Sequence, residues 1–203
     1  AGLATVVLLA TDWPDDVARA IEALETTSPE GMSVVIVANG PSPAQEAALA
    51  GLDATKTERS LPIEVIWTSE RLGHAAGTNI GLRRAGAPIA ILLDSSLEPT
   101  GDIVTPLSHA LDDPTVAVVG GWGIVSSDLR KFDAAPAGDV DALAGDRHAV
   151  RRSDYAEPGP TAARCRSYRT RTRPGTHAPP HARRATAPSA AGSPDAGRPG
   201  RRG

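Results

Sequence analysis

Short aliphatic runs recur along the first part of this chain, and the stretches between them carry apolar residues at helical spacing. Thr5–Ala10 (TVVLLA) is apolar on both alternating sets of positions, the pattern of a strand buried on both faces. Thr11-Asp12-Trp13-Pro14 reads as a turn, and Asp15 or Asp16 is placed to cap a helix running to about Thr26, with Val17, Ile21 and Leu24 on one face. Ser33–Ala38 (SVVIVA) predicts a second buried strand, ended by Asn39-Gly40-Pro41. A helix from about Ser42 to Leu52 follows, with Pro43 at its first position, where a missing N–H costs little. Ile63–Thr68 (IEVIWT) is a third strand, and the loop Ser69–Ala76 leads into a helix over roughly Ala75–Arg84. Pro88–Leu93 (PIAILL) is a fourth strand with Asp94 at its end, Ile103–Leu111 a helix, and Val116–Val119 a fifth strand.

Strands alternating with helices predict an α/β fold: a mostly parallel open sheet with helices on both faces. From Phe132 onward the pattern fades. Asp133–Gly145 reads as a loop, and Arg151–Tyr155 as the start of a helix that Pro158-Gly159-Pro160 ends. After Val150 none of the last 53 residues is Leu, Ile, Val, Met, Phe or Trp. Such a segment cannot bury enough apolar surface to offset the entropy of ordering its backbone. The expectation is a folded domain over residues 1–145 and an Arg/Pro/Ala/Gly-rich disordered tail over 146–203. Tail composition of this kind is what a GC-rich reading frame yields when translated out of register, with the slip placed near Pro158–Arg164. The competing readings are a basic arm touching acidic partners non-specifically and a solvated tail with no role.

Charge divides at the same place. Residues 1–145 carry 8 Lys/Arg against 20 Asp/Glu, whereas 146–203 carry 13 Arg and no Lys against 4 acids. An acidic folded part disfavours nucleic acid as its partner. The tail has only Tyr155 and Tyr168 as stacking aromatics, too few for specific RNA recognition. One cysteine, Cys165, excludes an intramolecular disulfide and a Cys-rich metal site. No apolar run approaches the roughly 18 residues of a membrane span, and the N-terminus lacks a basic leader, so a cytoplasmic protein is expected.

In open α/β sheets ligands bind beyond the carboxyl ends of the strands, which singles out Thr11 and Asp12, Asn39 and Gly40, Thr68–Gly73, and Asp94–Ser96. The same residue types also cap helices and turns. No glycine follows the first strand, which disfavours a dinucleotide-dependent oxidoreductase. No phosphate loop ending in Gly-Lys is present either, the only lysines being Lys56 and Lys131. Gly73, Gly77 and Gly81 share one helical face, either for tight packing or to keep the backbone slim beside a ligand. Asp94 is placed to hold a divalent cation or to cap the Ser95-Ser96 turn, and Glu98 and Asp102 flank a helix start. His109 and His148 have no partners at ligand spacing, and His74 reads as structural or solvent-facing.

Taken in order, these pieces resemble family-2 glycosyltransferases with the GT-A fold, over about residues 3–130. The resemblance is carried by TVVLLATDWPDD, by VIVANGPS, by Arg71-Leu72-Gly73 with Asn79-Ile80-Gly81-Leu82, and by Leu92-Leu93-Asp94-Ser95-Ser96 at the Asp-x-Asp position. It implies a nucleotide-diphosphate-sugar donor held by Thr11, Asp12, Asn39, Arg71, Gly73, Asn79, Asp94 and Ser96. An Mg²⁺ or Mn²⁺ ion would sit at Asp94, and the chemistry would be displacement at the anomeric carbon by an acceptor hydroxyl. Two positions differ from the family pattern: Ala38 stands where a base-binding Asp is usual, and Ser96, a poorer cation ligand, replaces the second Asp. The family's acceptor half and catalytic base lie after the fifth strand, where Asp128, Asp133 and Asp139 are candidates by location alone. The alternative is a catalytically silent nucleotide-sugar-binding or interaction module.

Overall fold

The computed structural model describes residues 2–54, 60–128, 130–135, 138–143, 145, 147–156 and 184–187. Four parallel strands, β1 (Ala4–Ala10), β2 (Met32–Ala38), β3 (Ile63–Trp67) and β4 (Ile89–Leu93), lie in the order β3-β2-β1-β4. Val6 of β1 stands opposite Val34 on one side and Ile91 on the other. Between these strands run α1 (Pro14–Thr27), α2 (Pro43–Ala54) and α3 (His74–Arg84), and α4 (Val104–Ala110) follows β4.

β1 shows why its run is apolar throughout. Ala4, Val6, Leu8 and Ala10 face a core with Val17, Ile21 and Leu24 of α1, Leu49 of α2 and Leu107 of α4. Val7 points the other way, to Leu82 of α3, Ala85, Ala90 and Leu92. Helices therefore cover both faces. α1 is capped two residues before Asp15 and three before Asp16, the caps expected from sequence. Trp13 is its N-cap without a side-chain bond and Pro14 opens the helix, because proline's fixed φ already suits that position. Asp15 and Asp16 sit in the first turn, where negative charge meets the positive end of the helix.

β5 (Val116–Gly120) does not join β4 directly. After it come β6 (Gly123–Val125), β7 (Asp133–Ala135), β8 (Gly138–Val140) and β9 (Ala142–Leu143), then β10 (Arg147–Arg151), α5 (Arg152–Ala156) and β11 (Arg184–Ala187). β10 runs antiparallel between β4 and β5, His148 opposite Leu92 and Gly120. The whole sheet is β3-β2-β1-β4-β10-β5-β11-β8, and β7-β6-β9 forms a second, three-stranded sheet. The loop expected over Asp133–Gly145 is thus three short strands, formed from residues of low strand propensity because β6 and β11 supply their pairing. β10 and α5 carry the folded part past residue 145, and β11 inserts 184–187 between β5 and the edge strand β8. The rest of the expected disordered tail, with the proposed frame slip at 158–164, lies outside the described residues. Among the described residues no helix is long and apolar enough to cross a membrane.

Several described positions, Ser108 and Gln45 among them, break the rule that buried polar groups are paired. Gln45 on α2 is fully buried toward the groove between α1 and α2, and neither its amide nitrogen nor its oxygen has a hydrogen-bond partner. Replacing both unpaired groups by an apolar side chain of similar size removes a desolvation penalty of about 1–3 kcal/mol. Gln45→Leu is expected to raise the urea midpoint, by roughly 1 kcal/mol in stability. An unchanged or lower midpoint would show that the amide is satisfied in solution.

Candidate functional site

The carboxyl ends of the parallel strands open into a cleft of about 450 Å³. β1 delivers Thr11 and Trp13 to it, β2 Asn39, the loop before α3 Arg71 and Gly73, and β4 Asp94 and Ser96. β10 is antiparallel, so its amino end lies at this edge and brings His148 into the wall.

Asn39 organises one side. It is 1 % exposed, donating from Nδ2 to the Gly73 carbonyl (3.2 Å) and accepting at Oδ1 from the Leu72 N–H (2.9 Å). Both ends of its amide are therefore committed to the loop at 71–73. Gly40 follows at φ +57°, and a Cβ there would stand 2.4 Å from the Arg71 nitrogen, so the loop's close approach requires glycine. The Thr68 hydroxyl accepts from the Gly40 N–H at 3.0 Å and lies 2.8 Å from the Glu70 carbonyl. Asn39→Ala removes both bonds, leaving the Leu72 N–H and the Gly73 carbonyl without this partner, a loss of about 2 kcal/mol. The expected result is a lower urea midpoint with faster hydrogen exchange at Leu72. Unchanged exchange at Leu72 would count against the staple.

Arg71 reaches over the mouth, donating from Nη2 to Asp12 Oδ1 at 2.7 Å and to the Gly40 carbonyl at 3.3 Å. The Asp12 carboxylate bonded to it raises the guanidinium's affinity for its proton. Asp12 acts on the cleft through Arg71, outside the lining itself. Gly73, at φ +85°, is the N-cap of α3, with no side-chain cap bond and no acid in the first turn. The first-turn N–H groups and the positive end of the helix dipole therefore face the cleft without an internal counter-charge. His74 stands beside them, exposed.

The glycine stripe divides between its two readings. A Cβ on Gly77 would lie 2.5 Å from Leu9 Cδ1, and one on Gly81 2.2 Å from Val7 Cγ1, so these two let α3 press onto the sheet. Gly73 has open space around it and lines the cleft.

Asp94 is exposed at the opposite wall. Its Oδ1 accepts from the Ser96 N–H (2.9 Å) and from the Ser96 hydroxyl (2.7 Å), so it does close the turn expected of it. Among the described residues there is no group of three or more His, Cys, Asp or Glu that holds a metal on its own. One carboxylate with an adjacent hydroxyl is a donor set suited to a hard cation whose other ligands are waters and substrate phosphate oxygens, not to a closed protein cage. Behind this wall Glu98 pairs with Arg19 of α1 at 2.6 Å. Asp102 caps α4 by accepting from Val104 and Thr105. Partial burial pushes the Asp102 carboxyl upward, but its bonds to Thr105 and Val104 outweigh that and hold it below the usual carboxylate range.

Asn79 is buried on α3 outside the lining, where the Tyr155 hydroxyl donates to its Oδ1 at 2.8 Å. Its neighbour Thr78 faces the cleft instead. Asp128, Asp133 and Asp139 do not line the cleft either. Bonds from the Lys131 and Arg130 N–H groups hold the Asp128 carboxyl low, which makes it a weak proton acceptor. Sequence reasoning passed over Trp13 and His148 as cleft residues. Trp13 was legible as a residue following a strand; His148 was not, because its strand was not.

A mostly parallel sheet with a ligand-sized cleft along its carboxyl edge and a mixed far side is the GT-A glycosyltransferase fold. It superimposes on the mannosyltransferase PcManGT from Pyrobaculum calidifontis, solved with GDP-Man and Mn²⁺, at a TM-score of 0.61 and 16% identity over 80% of this chain. It also superimposes on GalNAc-T7, solved with UDP, GalNAc and Mn²⁺ (0.67, 13% identity, 79% of this chain), and on S. aureus TarS 1–349, solved with UDP (0.57, 13%, 76%). The chain spans 48%, 37% and 48% of those three structures, less than half of each. No curated protein matches it in sequence. Residues 5–171 match the model of glycosyl transferase family 2, and the chain belongs to that family.

Proposed function

We propose that the cleft binds a nucleoside-diphosphate sugar and that the chain serves transfer of the sugar to an acceptor hydroxyl. The observation that carries this reading is the α3 N-terminus, opening uncapped at Gly73 opposite Asp94 with Arg71 over the mouth. Those N–H groups and the guanidinium suit a diphosphate. In the displacement the acceptor oxygen bonds to the anomeric carbon and gives up its proton to solvent water, while the bond from that carbon to the diphosphate oxygen breaks. The leaving oxygen takes the electron pair, and the α3 dipole and Arg71 stabilise the charge it acquires. A divalent cation bound through Asp94, beside Ser96, would supply further neutralisation of the diphosphate. The strongly acidic balance of residues 1–145 makes such a cation the natural counter-charge for an anionic donor. Trp13, flat, exposed and at the rim, is suited to cover a nucleobase.

A second reading, binding without transfer, is favoured by one observation: the three carboxylates expected as candidates for the base all lie outside the lining. Titration calorimetry of the full chain with UDP, GDP and NAD, with and without Mn²⁺, tests the site. Binding of a nucleoside diphosphate, strengthened by Mn²⁺, is expected; a preference for NAD or no binding overturns the assignment. Release of UDP or GDP from the corresponding sugar nucleotides then separates transferase from silent binder.

A further inference from the structure

β10 presents different residues to the two faces of the sheet. His148 lines the cleft, while Arg147, opposite Leu93 of β4, lies on the other face, where α1 and α4 pack. There Arg147 lines a second cavity of about 350 Å³, with Leu97 and Ile103 on its apolar wall and exposed Thr100 and Asp102 at its rim. The loop after β4 divides the two spaces: residues 94–96 line the cleft and residues 97–103 line this cavity.

Arg19, Arg71 and Arg84 each pair with a carboxylate, and Arg152 donates to the Ala85 carbonyl. Arg147 differs. Its Nε is buried without a hydrogen-bond partner, and among the described residues none forms an ion pair with its guanidinium. The two acids of the cavity are already engaged, Glu98 with Arg19 and Asp102 with the Val104 and Thr105 N–H groups. A guanidinium N–H buried without an acceptor carries a desolvation cost that a bound oxyanion relieves. Gly121 makes the room: a Cβ there would stand 2.6 Å from Nε and 2.7 Å from Cζ, so the guanidinium is seated against bare backbone.

We propose that this cavity binds a small hydroxy acid or amino acid, its carboxylate on Arg147 and its hydroxyl or ammonium group toward Asp102 and Thr100. The site does not rest on the nucleotide-sugar reading above. Arginine's planar fork matches a carboxylate through two parallel bonds. With one cation and two carboxylates around it, the cavity opposes a doubly charged phosphate. It suits a singly charged group that carries its own hydrogen-bond donors. Its volume is in the range of small-molecule sites, roughly 300–1,000 Å³.

Lactate, glycerate and alanine are titrated into the full chain at constant ionic strength, following thermal unfolding and the amide resonances of residues 97–103 and 147. At least one is expected to shift those resonances saturably and to raise the unfolding temperature. Arg147→Gln is expected to weaken that acid about tenfold or more. Arg147→Lys keeps the charge but loses the fork, and is expected to weaken it about threefold or more. Gly121→Ala displaces the guanidinium without changing charge and is expected to weaken binding too, so the outcome does not hang on one variant folding. A preference for lactate over alanine identifies a hydroxy acid, and the reverse an amino acid. No saturable response to any of the three overturns the proposal. So does unchanged affinity in Arg147→Gln, or inorganic phosphate binding as tightly as the acids. Failure of UDP and GDP to bind leaves this site standing, and failure of the three acids leaves the nucleotide site standing.

Discussion

Gly81→Val is expected to cost about 3 kcal/mol, at the upper end for overpacking a rigid core. The Cβ alone would stand 2.2 Å from Val7 Cγ1 and 3.3 Å from Val37 Cγ2. Val7 and Val37 are 3% and 0% exposed and β-branched, so neither side chain has another rotamer to turn into without a new clash. α3 must then lift from β1 and β2, and Gly73, its N-cap, moves with it. Gly51→Ala in α2 is the matched control: nothing lies within 4 Å of a Cβ there. That change should stabilise, by up to about 1 kcal/mol from helix propensity. Urea unfolding of both variants decides it; a Gly81→Val chain as stable as the parent would mean that α3 does not pack this closely.

The second large effect is on ligand affinity. Asp94→Asn keeps an oxygen to accept from Ser96 and so spares the turn, but removes the carboxylate charge from the cleft wall. Nucleoside-diphosphate binding in Mn²⁺ is expected to weaken about tenfold or more, 1.4 kcal/mol for each factor of ten, with little change in its absence. Ser96→Asp supplies the carboxylate that the position lacks and should tighten Mn²⁺-dependent binding in the opposite direction. Calorimetry in Mn²⁺ and in chelator reads both. Equal weakening of Asp94→Asn in the two buffers would place its role in the turn and not in cation binding.

β1, β2 and β4 were legible because each is buried on both faces and so writes itself as an unbroken aliphatic run, whereas β3, a half-exposed edge strand, showed only as a short β-branched segment. β10 was not, since Arg147 and Arg151 bracket it and its core contribution is Ala149 and His148, neither of which announces a strand. Its place in the sheet comes from two neighbours already built, which is tertiary information. The same holds at the cleft. Thr11, Asn39, Arg71, Gly73, Asp94 and Ser96 follow from looking just beyond strand ends, and the cleft lies among them. Whether a residue faces a ligand or its own protein does not follow. Asn39 commits its amide to the 71–73 loop, Asp12 pairs with Arg71 and holds it over the mouth, and Asn79 is turned toward Tyr155 while adjacent Thr78 faces the cleft. These are choices of partner among groups far apart in sequence.

The position of β10 sets an order of events for the emerging chain. β1 to β4 and their helices have all their mutual pairings by Leu93, but the outer edge of β4 then waits until Arg147–Arg151 arrives, and β5 has no strand of that first group to pair with. For more than fifty residues of synthesis the nascent sheet presents an unpaired hydrophobic edge, the kind that captures strands from other chains. Five residues written late, and holding little apolar character of their own, decide whether that edge closes on its own chain or on a neighbour's.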